Sequence, residues 1–282
     1  MSRVLACIDG SVYADSVADH AAWAAGRLGL PAELLQVLGR REAGSSDRSG
    51  RIVAGARRRL LEELVTLDAQ RARLVQREAR LGLEEAKARM AAAGCADVAL
   101  SLRNGDLLET LAEHEREAAM VVVGKRGEAA DFATLHLGSN LERIVRASQR
   151  PILVTSRAFR PISKLVIGFD AGPSAQKAVE AVASSPLYAG LSVLLVTVSE
   201  PNRTAQAAIE QAAARIAASG HDVAIRILPG KPEEVISTLL EAEKIDLLMI
   251  GAYGHSRLRS LVIGSTTSAL IRSCRVPVAI YR

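Results

Sequence analysis

Short, continuously apolar runs alternate with longer stretches of helical period, and the whole alternation occurs twice along the chain. In the first half the runs fall at 3–8, 32–38, 97–103, 120–123 and 151–155; in the second they fall at 164–169, 191–198, 222–228, 246–250 and 277–281. Runs this short and this apolar predict parallel strands buried on both faces. The stretches between them, such as the alanine-rich 14–28 and 175–185, predict amphipathic helices. Because the order of signals is the same in both halves, the chain reads as one unit repeated.

Each unit would hold five strands and four helices. Parallel strands joined by right-handed crossovers must cover both faces of their sheet. The predicted fold class is therefore α/β, as two tandem doubly wound domains, each a five-stranded parallel sheet of order 3-2-1-4-5 with helices on both faces. The stretch 156–163, with Pro161 inside it, is the natural linker, which places the domains at 1–157 and 161–282. Fifth strands lie at a sheet edge in this order, so 151–155 and 277–281 are expected to pair within one chain, and a further homodimer is a candidate.

The first domain is the longer, and its excess falls near 50–94. There Leu60, Leu61, Leu64, Leu67, Leu74, Leu81 and Leu83 recur amid Arg and Glu at roughly helical spacing. This predicts one long helix or a helical pair broken at Leu81-Gly82-Leu83. Two readings stay open: a surface helix covering its own domain, or an added surface for a dimer or partner.

Composition narrows the class. With 282 residues, 49% of them hydrophobic and 24% charged, the chain can bury two ordinary cores. The net charge of +5 is modest, and the arginines cluster at 51–89 without interleaved aromatics, which argues against nucleic acid as a partner. Cys7, Cys95 and Cys274 lie far apart, without metal or redox spacing, and suit reduced core thiols. No stretch approaches the ~20 apolar residues of a membrane span, and the opening apolar run is too short for a signal peptide. A cytoplasmic protein without a membrane partner is expected.

The candidate chemistry lies in a glycine-punctuated loop that follows the fourth strand of each half. In the second half Gly251 and Gly254 are followed after nine residues by Gly264-Ser265-Thr266-Thr267; in the first, Gly124 and Gly127 are followed after ten by Gly138-Ser139-Asn140. Glycines let a backbone turn tightly and approach a ligand, and the helix that begins at Gly-Ser offers free N–H groups and its positive dipole end to an anion. In a 3-2-1-4-5 sheet the first and fourth strands flank the crevice where ligands bind. Asp9 and Asp170, which end the first strands, would face these loops. No Gly-Lys-Ser/Thr of a Walker loop is present.

With these residues in hand, the chain resembles the universal stress protein family in its tandem form, over essentially its whole length. The nucleotide-binding members look like Gly-x2-Gly-x9-Gly-(Ser/Thr), which Gly251, Gly254, Gly264 and Ser265 match. The resemblance implies that Asp170 and Val198 lie near the ribose and adenine of ATP, and that Gly251, Gly254, Gly264, Ser265 and Thr266 surround ribose and phosphates. Magnesium is a candidate companion. It implies a second candidate site at Asp9, Val37, Gly124, Gly127, Gly138, Ser139 and Asn140, where the spacing carries one residue more and Asn140 replaces Thr266.

Other residues weigh less. His20, His114, His136, His221 and His255 show no ligand spacing, so no metal site is expected. Lys125, Arg126, Arg257 and Arg259 sit in the loops and could attract a polyphosphate. No catalytic triad or carboxylate pair is legible. The expectation is an ATP-binding stress-response or regulatory protein, with at most slow hydrolysis or self-phosphorylation. The competing expectation is a non-nucleotide scaffold that binds a protein partner or an apolar ligand. A synthetase on a related fold stands third, for want of a substrate domain.

Overall fold

A computed structural model describes residues 2–39, 54–125, 139–252 and 264–282. The first half runs β1 (Arg3–Cys7), α1 (Ala14–Leu28), β2 (Ala32–Leu38), α2 (Ala54–Ala92), β3 (Val98–Asn104), α3 (Leu107–His114), β4 (Ala118–Gly124), α4 (Ser139–Ala147) and β5 (Ile152–Thr155). The second half repeats it as β6 (Lys164–Gly168), α5 (Pro173–Ser184), β7 (Ser192–Val198), α6 (Arg203–Ala217), β8 (Val223–Leu228), α7 (Pro232–Ala242), β9 (Leu247–Gly251), α8 (Ser265–Ser273) and β10 (Val278–Tyr281).

All ten strands join one sheet, ordered β3-β2-β1-β4-β5-β10-β9-β6-β7-β8. Each half is thus a parallel block of order 3-2-1-4-5, and the two blocks meet where β5 pairs antiparallel with β10, Leu153 opposite Ala279. Alternation along each strand divides the core into two layers. Val4 and Ala6 of β1 face α1, α5, α6 and the end of α2, whereas Leu5 between them joins the layer under α3, α4, α7 and α8.

The seam carries polar ties as well as the ladder. Within the second half, Tyr281 of the seam strand β10 shares a buried hydroxyl–hydroxyl hydrogen bond of 2.6 Å with Tyr188; the ties that cross between the halves come from other residues. Arg27 donates to the carbonyls of Leu187 and Ala189. Lys125 Nζ donates to the Cys274 carbonyl at 2.7 Å, and Arg282 to the carbonyls of Arg146 and Ser148.

α2 is one continuous helix of 39 residues, so of the two readings the single long helix holds and there is no break at Gly82. Ala79, Leu83, Ala86 and Met90, on both sides of that glycine, lie on one stripe buried against the first half. Packing on either side outweighs the roughly 1 kcal/mol that a mid-helix glycine costs. Arg89 anchors the same end through Asp19, at 2.6 and 2.8 Å. Toward its amino end the helix behaves differently: every residue from Glu62 to Val75 is exposed.

Candidate functional site

Because β5 and β10 run antiparallel, the carboxyl ends of the two parallel blocks point to opposite ends of the sheet. The two candidate crevices therefore open away from each other. Each is built by the same register: Cys7 lies beside Val123, and Gly168 beside Ile250, so the chain beyond strand one runs alongside the chain beyond strand four.

In the second crevice Asp170 is exposed at the strand end, and its Oδ1 accepts the Gly172 amide at 2.8 Å. Between them Ala171 takes a left-handed backbone, φ 61, which a residue with a Cβ adopts only when its surroundings hold it there. Beneath this turn the Thr197 hydroxyl donates to the Phe169 carbonyl at 2.8 Å. Val198, at the end of β7, is half-buried beside it.

The two described glycines of the loop have different reasons for being glycine. A Cβ on Gly251 would lie 2.8 Å from Ser174 Cβ and 3.1 Å from the Ala175 nitrogen, so α5 can pack against the end of β9 only with hydrogen there. Gly264 is the N-cap of α8 with φ −53 and ψ 141, a conformation open to any residue. Among the described residues a Cβ on it would meet Thr267 Oγ1 at 3.5 Å and the Ala252 carbonyl at 3.8 Å, both ordinary contacts.

Gly264 offers no side-chain cap, so the amides of Ser265, Thr266 and Thr267 have no acceptor within α8. Ser265 is exposed and Thr266 half-exposed at this end. Thr267 is buried instead, and its hydroxyl donates to the Gly251 carbonyl at 3.1 Å. That hydroxyl ties the start of the loop to its return. The sequence carried this signal only as a second threonine after Gly-Ser.

The first crevice shares the outline and differs in the details. Asp9 is half-buried, and its Oδ1 accepts the Ser11 amide at 3.1 Å; the Ser11 hydroxyl in turn accepts from the Tyr13 amide at 3.3 Å. Val37, near the end of β2, is half-buried like Val198. Gly124 ends β4, and Asn140 is exposed in the first turn of α4, which begins at Ser139. Where the second half has the Thr267 hydroxyl, the first has buried Leu141; where it has Gly168, the first has Cys7. Burial, reinforced by Glu33, Asp9 and Glu115, pushes the Cys7 thiol up to about 12, so it is not a nucleophile at neutral pH.

Gly254, Gly127 and Gly138, together with Arg126, His136, His255, Arg257 and Arg259, lie outside the described residues. Lys125 is turned toward Cys274 across the seam, which corrects its reading as a loop charge. The described histidines do structural work. His20 is buried with its ring 5.0 Å from Phe159, and burial lowers its pKa. His114 Nδ1 lies 2.8 Å from the buried Glu33 carboxylate, which also accepts from Ser101. His221 bonds the carbonyls of Leu191 and Val182. Among the described residues no cluster of His, Cys, Asp or Glu could hold a metal ion, and no helix is long and apolar enough to cross a membrane.

A duplicated doubly wound sheet with an aspartate turn and a helix N-terminus at each switch point defines a tandem doubly wound α/β protein. The profile of the universal stress protein family matches residues 1–156 and 202–282. A universal stress protein of Synechocystis is 37% identical over the full length of both chains, and one of Mycobacterium tuberculosis is 25% identical over 80% of this chain and 77% of its own. A crystal structure of a universal stress protein from Archaeoglobus fulgidus superposes over 99% of this chain and 98% of its own, with a TM-score of 0.72 at 19% identity. The chain belongs to the universal stress protein family and carries its unit as a tandem repeat.

Proposed function

We propose that the chain binds an adenine nucleotide, ATP, in the crevice between β6 and β9, and acts as a nucleotide-responsive binding protein of the cytoplasm rather than as a catalyst. Gly264 carries this reading. Its dihedrals and its contacts among the described residues are ordinary, and its lack of a side chain leaves the amino end of α8 open to a group approaching from outside. That position opens α8, whose first amides and the Ser265 and Thr266 side chains face an anion with the positive end of the helix. Phosphate oxygens fit this donor set. Asp170 would accept from a ribose hydroxyl or, with magnesium, help to neutralise the phosphates, and Val198 would flank the adenine. Gly254 completes the loop spacing.

The first crevice keeps an aspartate turn and a helix start but lacks the hydroxyl tie, and its loop is one residue longer. We assign it at most a secondary role in nucleotide binding. The domains proposed to carry the two crevices span 1–157 and 161–282. Isothermal titration of the full chain with Mg-ATP is expected to show one site at tens of micromolar or tighter. The absence of binding heat in that range overturns the proposal in favour of the scaffold reading.

A further inference from the structure

The amino-terminal part of α2 presents a stripe that its own half does not cover. Leu60, Leu67, Leu74 and Leu81 recur every seven residues, and they are 46, 59, 63 and 59% exposed. Leu64, 47% exposed, lies on the same side. At 3.6 residues per turn this stripe stands on the order of 160° around the helix from the buried stripe of Ala79, Leu83, Ala86 and Met90. A residue repeat of seven is the period at which two helices stay in contact as they wrap around each other. A helix with two apolar stripes on opposite sides has two partners, and the first half is only one of them. The segment 40–53 is a poor cover, since Ala43, Ile52 and Val53 are its only apolar residues and the last two adjoin the start of α2.

We infer that this stripe pairs with the same stripe of a second copy of the chain, as a two-helix antiparallel coiled coil. Charge decides both the partner and the direction. In heptad terms the leucines every seven residues occupy d, and Leu64, Arg71 and Glu78 occupy a. Parallel pairing in register would set Arg71 against Arg71, Glu78 against Glu78, and Glu63 beside Asp68 of the second copy. Antiparallel pairing sets Leu64 against Leu74 and Leu67 against Arg71, and it brings Glu63 opposite Arg77 of the second copy on both sides of the two-fold axis. The one like-charge meeting it leaves, Asp68 with Asp68, sits between the Arg71 residues of both copies. The second copy thus supplies both the leucines and the opposite charges that this stripe calls for.

Analytical ultracentrifugation of the full chain tests the inference. At roughly 100 µM the species expected has twice the 29.9 kDa chain mass; a monomer at that concentration overturns the proposal. Leu67→Glu with Leu74→Glu alters only exposed positions, so the circular dichroism and melting profile should hold while the dissociation constant rises by about a hundredfold or more. A dimer that persists in this variant places the contact elsewhere and overturns the assignment. Glu63→Arg is expected to weaken association roughly three- to tenfold, and adding Arg77→Glu to restore it. Tighter association of Glu63→Arg is the parallel outcome and overturns the antiparallel one.

Discussion

The two crevices of this molecule share a backbone plan and differ in what locks it. In the second, a buried hydroxyl on Thr267 bonds the carbonyl of Gly251, and Gly168 and Gly251 bring strands and helix close. In the first, Leu141 and Cys7 occupy the corresponding positions, and the aspartate turn is drawn half under the surface. A repeated fold therefore preserves the scaffold through its apolar layers while the crevice residues differ: Leu141 and Cys7 extend the apolar core of the first half where Thr267 and Gly168 stand in the second.

The comparison breaks first at Gly264. Gly264→Val is expected to lower ATP affinity by about a hundredfold while costing only about 1 kcal/mol of stability, because valine is the poorer N-cap but its contacts among the described residues are ordinary. Calorimetry and thermal unfolding on the same sample read both quantities. Unchanged affinity would place the nucleotide in the first crevice or elsewhere on the chain. By contrast, Gly251→Ala forces a Cβ onto Ser174 and should cost about 1–3 kcal/mol in urea unfolding, with affinity lost as a secondary effect.

A smaller effect separates the aspartates. Asp170→Ala should weaken ATP roughly tenfold, whereas Asp9→Ala should leave the isotherm of the second crevice unchanged; equal losses would make the halves equivalent. Thr267→Val removes the hydroxyl tie at nearly constant volume and should cost about 1 kcal/mol, measured by urea midpoint.

The smallest effect is a pH dependence to which the first half contributes through Cys7. The folded state holds the Cys7 thiol up to about 12, against an ordinary value of 9.0, so the unfolded chain releases this proton first. Stability is fully present below pH 9 and falls as pH rises toward 12. Cys7→Val should reduce the loss of stability between pH 8 and 10.5; an identical decline in both proteins would assign it to other groups that burial also raises, such as Cys274 and the Tyr188–Tyr281 pair.

Much of this architecture was legible in the sequence because buried parallel strands are apolar on both faces and leave unbroken runs. Alternation and handedness gave doubly wound parallel sheets, within which the order 3-2-1-4-5 was one assumption, and the carboxyl end of α1 was legible because Gly29 stops it with a left-handed φ of 64. What stayed hidden depends on contacts between distant positions. Gly251 reads as a ligand glycine, and only its approach to Ser174 shows that the fold itself requires it. Lys125 reads as a loop charge until β5 and β10 bring Cys274 beside it. At Gly82 local propensity left a continuous helix and a broken pair equally open, because it cannot know that both sides of the glycine are packed.

The antiparallel meeting of β5 and β10 has a further consequence. Its two strands belong to one chain, joined through the short stretch 156–163, so the local concentration of one half around the other is set by that tether, on the order of millimolar, rather than by how much protein a cell holds. Dilution leaves the ten-stranded sheet intact. Abundance is then read only where chains meet one another, along the leucines of α2, and the molecule separates two questions that a single-unit protein would have to answer with one interface: whether it is assembled, and how many of it there are.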